Sequence, residues 1–264
     1  MAGKKVWVTW LPGKACEAEL QQSIQALQQV GLEVSGAPWI DDLEKCAWTE
    51  LGEMLAGDNA PDLWLVSGRQ EDFANPRFRY GLSLLVAAMA PAKPTVKVFA
   101  QCIDGKPEQA LPTLCADWPI LDSNPGWNAK IVAAAYSPAA KSAESSFYCT
   151  VIAHSALGQW FEVGPVTGED EWQGAMFGLN EGDAKIVFQA VGPRGQLPEK
   201  AVNEYASQGI EAEIGGVNYT AWALQNKITD QQSYYVKVTG FPQKIMFGGH
   251  PGTDQAEVQV LSLS

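Results

Sequence analysis

Residues 62–68, Asp-Leu-Trp-Leu-Val-Ser-Gly, form an apolar run with no polar alternation, bounded by an aspartate and a glycine. A run of this length predicts a strand, and its unbroken apolarity predicts a strand covered on both faces. Strands of that kind lie inside parallel sheets layered with helices. The flanking sequence agrees with that architecture. Residues 6–10 are β-branched and aromatic, which predicts a first strand. Residues 17–30 predict a helix, with Leu20, Ile24 and Leu27 on one face, Glu17 and Glu19 in the first turn and Gly31 as the stop. A short second strand follows at 32–35. Asp41 or Asp42 then caps a helix carrying Leu43, Ala47, Leu51 and Met54.

Beyond the 62–68 strand, Asn75-Pro76 pairs a capping side chain with a residue suited to the first helical position. The helix it opens carries Phe78, Leu82, Leu85, Val86 and Met89 and meets Pro91. Residues 96–100 predict a fourth strand and 118–121 a short fifth. Asn124-Pro125 repeats the cap-and-proline pair before Trp127, Ile131 and Ala135. The expected architecture is α/β over residues 1–138, a parallel sheet with helices on both faces.

Residues 139–146 are small, polar and typical of a linker. From 147 to 264 the periodicity changes to short apolar strands punctuated by Gly and Pro, which predicts an antiparallel β-sandwich or barrel. One helical pattern, at 199–207, interrupts it.

Composition limits the partners. The 264 residues carry 18 Lys+Arg against 30 Asp+Glu, a net charge of -12. That balance opposes nucleic acid and anionic lipid, both of which reward basic surfaces. The β-rich half is the more acidic, with 6 basic and 14 acidic residues beyond position 143 against 12 and 16 before it. The apolar stretch after Lys4 and Lys5 is shorter than a secretory core, and no segment reaches the roughly 18 apolar residues of a membrane helix. Five scattered cysteines (Cys16, Cys46, Cys102, Cys115, Cys149) contain no C-x-x-C pair and predict reduced thiols in a cytoplasmic protein.

In a parallel α/β sheet, ligands bind beyond the carboxyl ends of the strands, where strand order reverses. That rule selects Thr9, Trp10, Gly13 and Lys14 after the first strand, Ser67, Gly68 and Arg69 after the third, and Gln101 after the fourth. Leu11-Pro12-Gly13-Lys14 lacks the spacing of a P-loop, so Lys14 is either a helix-terminal anion contact or a solvated lysine. Ser67-Gly68-Arg69 can hold a ribose or phosphate; the plain alternative is a turn with Arg69 paired to Glu71 or Asp72. Arg77 lies at the positive end of a helix, a placement that suggests an anionic partner or pairing with Asp72. Glu50 and Glu53 share a helical face, where carboxylates are either solvated or paired for acid–base work. His154 and His250 have no companion at metal-ligand spacing, and no motif requires a cofactor. The β-rich half supplies Trp160, Phe161, Trp172, Phe177, Tyr219, Trp222, Tyr234, Tyr235, Phe241 and Phe247, as core, as sugar-stacking platforms or as protein anchors.

Leu65-Val66-Ser67, followed by Phe73-Ala74-Asn75-Pro76-Arg77-Phe78-Arg79-Tyr80-Gly81-Leu82, resembles the Toll/interleukin-1 receptor (TIR) type of flavodoxin-like domain, over roughly Lys4 to Ala135. It is also similar to nucleoside 2-deoxyribosyltransferase-like proteins. In both families the resemblance implies a catalytic glutamate on the helix after the third strand; Gly81 stands at that place here. A glycine cannot attack an anomeric carbon. The expectation is therefore a non-catalytic interaction or signalling protein with a degenerate TIR-like domain, binding a protein or a small nucleotide-like ligand. The alternatives are a nucleoside or nucleotide glycosidase using a displaced carboxylate, Glu50 or Glu71, and carbohydrate binding by the β-rich half. Oligomeric state is left open.

Overall fold

The computed structural model describes residues 3–11, 17–122, 124–138, 147–168, 171–180, 182–250 and 257–264. Two compact units divide the chain, one of residues 1–43 and 47–142, the other of residues 44–46 and 143–264. The segment read as a linker, 139–146, lies outside the described residues.

The first unit is built on strands β1 (Lys5–Trp10), β2 (Glu33–Pro38), β3 (Leu63–Gly68), β4 (Lys97–Cys102) and β5 (Ile120–Asp122), with helices α1 (Glu17–Gln29), α2 (Trp48–Ala56), α3 (Gln70–Ala74), α4 (Pro76–Met89) and α5 (Trp127–Tyr136). The five strands are parallel, in the order β2-β1-β3-β4-β5. Strand β3 is central and buried at every position, as its unbroken apolarity requires. Val6, Val8, Leu63 and Leu65 pack on one face against Leu20 and Leu27 of α1 and Ile131 and Ala135 of α5. Trp64 and Val66, alternating to the other face, are equally inaccessible. Gly52 of α2 lies against Leu85 and Met89 of α4, so these two helices meet closely.

Helix α4 starts as the sequence predicts: the Asn75 side chain accepts hydrogen bonds from the backbone N–H groups of Arg77 (2.9 Å) and Phe78 (3.4 Å). Two other predicted starts are corrected. Helix α2 begins at Trp48, not near Asp42, because Cys46 adopts a left-handed backbone (φ 55°) that breaks the helical run; the Asp42 carbonyl instead accepts from the Ala47 N–H. At Asn124-Pro125 the asparagine caps nothing with its side chain. Gly126 precedes α5, and Asn124 Nδ2 donates to Asp122 Oδ2.

The second unit contains two antiparallel sheets. One has four strands in the order β6 (Tyr148–His154), β7 (Gly158–Gly164), β12 (Gln232–Thr239), β9 (Lys185–Pro193). The other has five, in the order β10 (Ser207–Ile214), β11 (Val217–Leu224), β8 (Ala175–Asn180), β13 (Lys244–Gly249), β14 (Val258–Ser262). Phe161 of the first sheet meets Phe177 of the second at 5.3 Å between ring centroids, and Phe177 stacks on Phe247 at 6.4 Å. The fold class is thus α/β plus an antiparallel β-sandwich.

The helix expected at 199–207 is absent. Val202 and Tyr205, its apolar residues, are exposed and have no face to cover. The Asn226 side chain takes the Glu204 N–H and the Val202 carbonyl, and Asn203 Nδ2 donates to the Gln189 carbonyl. Those contacts hold the segment in an irregular path, with Tyr205 in a left-handed conformation (φ 47°), until β10 begins.

Candidate functional site

Strand order reverses between β1 and β3, so the candidate site lies beyond the carboxyl ends of these strands. Among the described residues, main-chain pairing and side-chain packing both fill part of it. The Leu11 N–H donates to the Ser67 carbonyl at 2.9 Å, which prolongs the strand pairing past Trp10. The Leu11 side chain is buried over Gly68, where a Cβ would come within 2.7 Å of Leu11 Cδ1. Gly68 therefore serves close packing of the unit's own leucine.

The sequence-selected residues are spent one by one inside the unit. Thr9 is buried, and its hydroxyl accepts the Trp64 indole N–H at 2.9 Å. Trp10 is half-buried against the α1 and α5 core. Ser67 Oγ donates to Gln101 Oε1 at 3.1 Å, and both side chains are buried. Arg69 pairs with Glu19 of α1 (Nη2–Oε2 2.7 Å), a partner the turn reading did not name, and its charge also acts on the Asp72 carboxyl. Its backbone N–H donates to Asp72 Oδ2 at 2.8 Å. Arg77 pairs with Asp41 across 3.2 Å, not with Asp72. Glu50, Glu53 and Glu71 are exposed. Gly13 and Lys14 lie outside the described residues.

Gly81 is tightly packed. An added Cβ would lie 2.8 Å from the Trp39 ring and 3.0 Å from Leu43 Cδ2. Trp39 is itself wedged in place, edge-to-face on Phe78 at 5.2 Å, with Phe78 edge-to-face on Phe73 at 6.0 Å. The space a glutamate side chain would need at this place is occupied by a tryptophan and a leucine.

An acidic edge borders the crevice. The Gln70 N–H donates to Asp104 Oδ1 at 2.9 Å, and Cys102 Sγ lies 3.4 Å from the same oxygen. Burial, with the neighbouring Asp104 carboxylate, pushes the Cys102 thiol up to about 12, so it is an inert thiol. Burial also raises the Asp72 carboxyl, with Glu71 and Asp104 adding to the shift and the Arg69 N–H opposing it. Among the described residues no group of three His, Cys, Asp or Glu can hold a metal ion. His154 Nδ1 accepts the Ala156 N–H, closing the β6–β7 turn.

In the β unit most predicted aromatics are core: Phe161, Phe177, Tyr219, Tyr234, Tyr235 and Phe247 are fully buried. On the outer face of the four-stranded sheet, Ile152, Trp160, Lys237 and Phe188 stand opposite one another in a single transverse row. Trp160 and Phe188 meet edge-to-face at 5.6 Å, and the Lys237 ammonium lies 5.6 Å from the Trp160 ring. The next row holds a buried carboxylate, Glu162, which accepts from the Gly195 N–H (2.7 Å) and the Tyr148 hydroxyl (3.2 Å). Trp222 is half-buried and lines a cleft with Leu179, Asn180, Lys185, Ile186 and Thr220.

No family model matches the chain, and no curated protein matches it. Among solved structures it is similar to a two-domain esterase active on acetylated mannans, at 10% identity and a TM-score of 0.30, over 99% of this chain and 92% of that one. A structure of the same description, co-crystallized with mannopentaose, gives 11% identity and the same TM-score over 99% and 91%. A likeness this low carries no argument about fold or chemistry.

Sequence reasoning missed Glu19, Trp39 and Leu11, which do this packing and pairing. Arg79, which the sequence places with Arg77 and Tyr80 on the first turns of this helix, is a buried cation whose Nη1 and Nη2 donate to the carbonyls of Phe73 (3.2 Å) and Ala110 (2.7 Å). The sequence signal for Arg79 was its position on the buried face of α4, between Phe78 and Leu82.

Proposed function

We propose that the chain is a non-catalytic interaction protein of the signalling kind, its α/β unit a degenerate TIR-like domain joined to an acidic β unit. One observation carries this reading: Trp39 and Leu43 fill the space beside Gly81, where the resemblance requires a catalytic glutamate. The commitment of Ser67 to Gln101 and of Arg69 to Glu19 supports it, because the groups suited to a ribose or phosphate already have partners within the unit. The solvent-facing row of Trp160, Phe188 and Lys237 offers the mixed aromatic and cationic surface that protein partners use.

The glycosidase reading loses support from the exposure of Glu50 and Glu71. Asp72 is the acid nearest the crevice with a raised pKa, and it is occupied as the acceptor for Arg69 N–H. Among the described residues no helix is long and apolar enough to cross a membrane. Among the described residues four buried cysteines form no disulfide, which supports a reducing compartment such as the cytoplasm, and the net charge of -12 disfavours nucleic acid as the partner.

The test is incubation of the purified protein with NAD and with purine and pyrimidine nucleosides, followed by chromatography. The expected result is no nicotinamide or free base above the buffer blank, for the native chain and for Gly81→Glu alike. Enzyme-dependent release of either product by the native chain would overturn the proposal.

A further inference from the structure

The β unit has an opening that its own core does not fill. At one end of the sandwich, β8 and β11 of the five-stranded sheet and β9 of the four-stranded sheet border a cleft of about 280 Å³. Trp222 lies directly opposite Phe177 in the β11–β8 pairing, on the side that faces the other sheet. Phe177 is completely inaccessible there, whereas Trp222 is half-buried. An indole on the inner side of a sandwich that still reaches solvent marks a place where the side chains stop short of closure.

The polar groups around that indole are of both kinds. Lys185 brings an exposed ammonium donor at the start of β9. Thr220 brings a hydroxyl 3.4 Å from Glu211 Oε1, so an acceptor carboxylate stands beside it. Leu179 and Ile186 supply the apolar floor. A few convergent polar groups over an apolar and aromatic floor describe a small-molecule site. The volume lies just below the roughly 300–1,000 Å³ range of such sites, which admits one ring and excludes a dinucleotide. Residues beyond position 143 include 14 acidic against 6 basic, a net negative field that disfavours an anionic ligand.

We infer that this cleft binds one neutral pyranose ring of a glycan, its C–H face against Trp222 and its hydroxyls shared among Lys185, Thr220 and Glu211. A sugar ring has an apolar face and a rim of donor–acceptor hydroxyls, and this lining presents the complement of both. The inference concerns the β unit alone, so it stands or falls apart from the reading of the α/β unit.

The test is ligand-observed saturation-transfer NMR and calorimetric titration of the full chain with glucose, mannose, galactose, N-acetylglucosamine and their short oligomers. At least one sugar is expected to bind saturably. Lys185→Met and Thr220→Val, both at exposed positions, are expected to keep the native melting temperature and to weaken that binding about tenfold, and Trp222→Ala to abolish it. Absence of saturable binding by every sugar overturns the inference. So does binding that is undiminished in Lys185→Met and Thr220→Val, because the sugar then sits elsewhere.

Discussion

Gly81 is packed too closely to carry a side chain without cost. Any side chain there must move Trp39, which is braced by Phe78, so even Gly81→Ala overpacks the α4 contact. Overpacking of this kind costs about 1–3 kcal/mol. Gly81→Ala is expected to lower the melting temperature by several degrees in calorimetry, although alanine is the better helix former. Asp72 gives a prediction in pH. Its carboxyl is raised in the folded chain, so below the ordinary aspartate value of about 3.9 the group is protonated in both states and costs nothing. As pH rises the unfolded chain ionises first, and stability falls until the folded carboxyl has ionised too. Asp72→Asn keeps an acceptor for the Arg69 N–H and removes that loss. Its stability in urea melts should gain on the native chain as pH climbs from the aspartate value toward neutrality.

Elements show what local sequence can and cannot specify. Asn75-Pro76 specified its helix start because cap and proline act within four residues, and the Asn75 side chain reaches Arg77 and Phe78. Asn75→Ala should destabilise the fold by about 0.5–2 kcal/mol, read as a shift in denaturant midpoint with unchanged slope. The same dipeptide at Asn124-Pro125 does not cap its helix because Gly126, in a left-handed conformation (φ 93°), holds the N-cap position of α5 instead. Strand β3 was legible because burial on both faces leaves a mark on every residue. The helix at 199–207 was misread because periodicity records a possible apolar face without recording whether anything will cover it. Site residues suffered most from distance. Arg69 was assigned to Glu71 or Asp72, two or three positions away, yet it pairs with Glu19, fifty positions back. Leu11 over Gly68 and Trp39 beside Gly81 are likewise contacts that only the β1–β3 and β2–α4 adjacencies create.

At the scale of the whole molecule, charge and thiol burial set the expected behaviour. A net charge of -12 on 264 residues means self-repulsion in the folded state. Raising monovalent salt from about 0.01 M to 0.15 M shortens the screening length from about 30 Å to about 8 Å, so the melting temperature should rise with salt over that range. Cys46, Cys102, Cys115 and Cys149 are buried and form no disulfide, and burial pushes Cys102 and Cys149 up to about 12. All four should resist alkylation at neutral pH in the native chain and label on unfolding, as peptide mass spectrometry would reveal. The central claim is that the crevice at the β1–β3 reversal is filled from within. Its most direct measurement is a melting curve of the protein with saturating NAD, ADP-ribose and adenosine. A ligand at 100 times its dissociation constant adds about 2.7 kcal/mol, an unmistakable shift for a chain of this size. The account predicts no shift with any of the three; a dose-dependent rise, lost on substitution of Ser67 or Arg69, would contradict it.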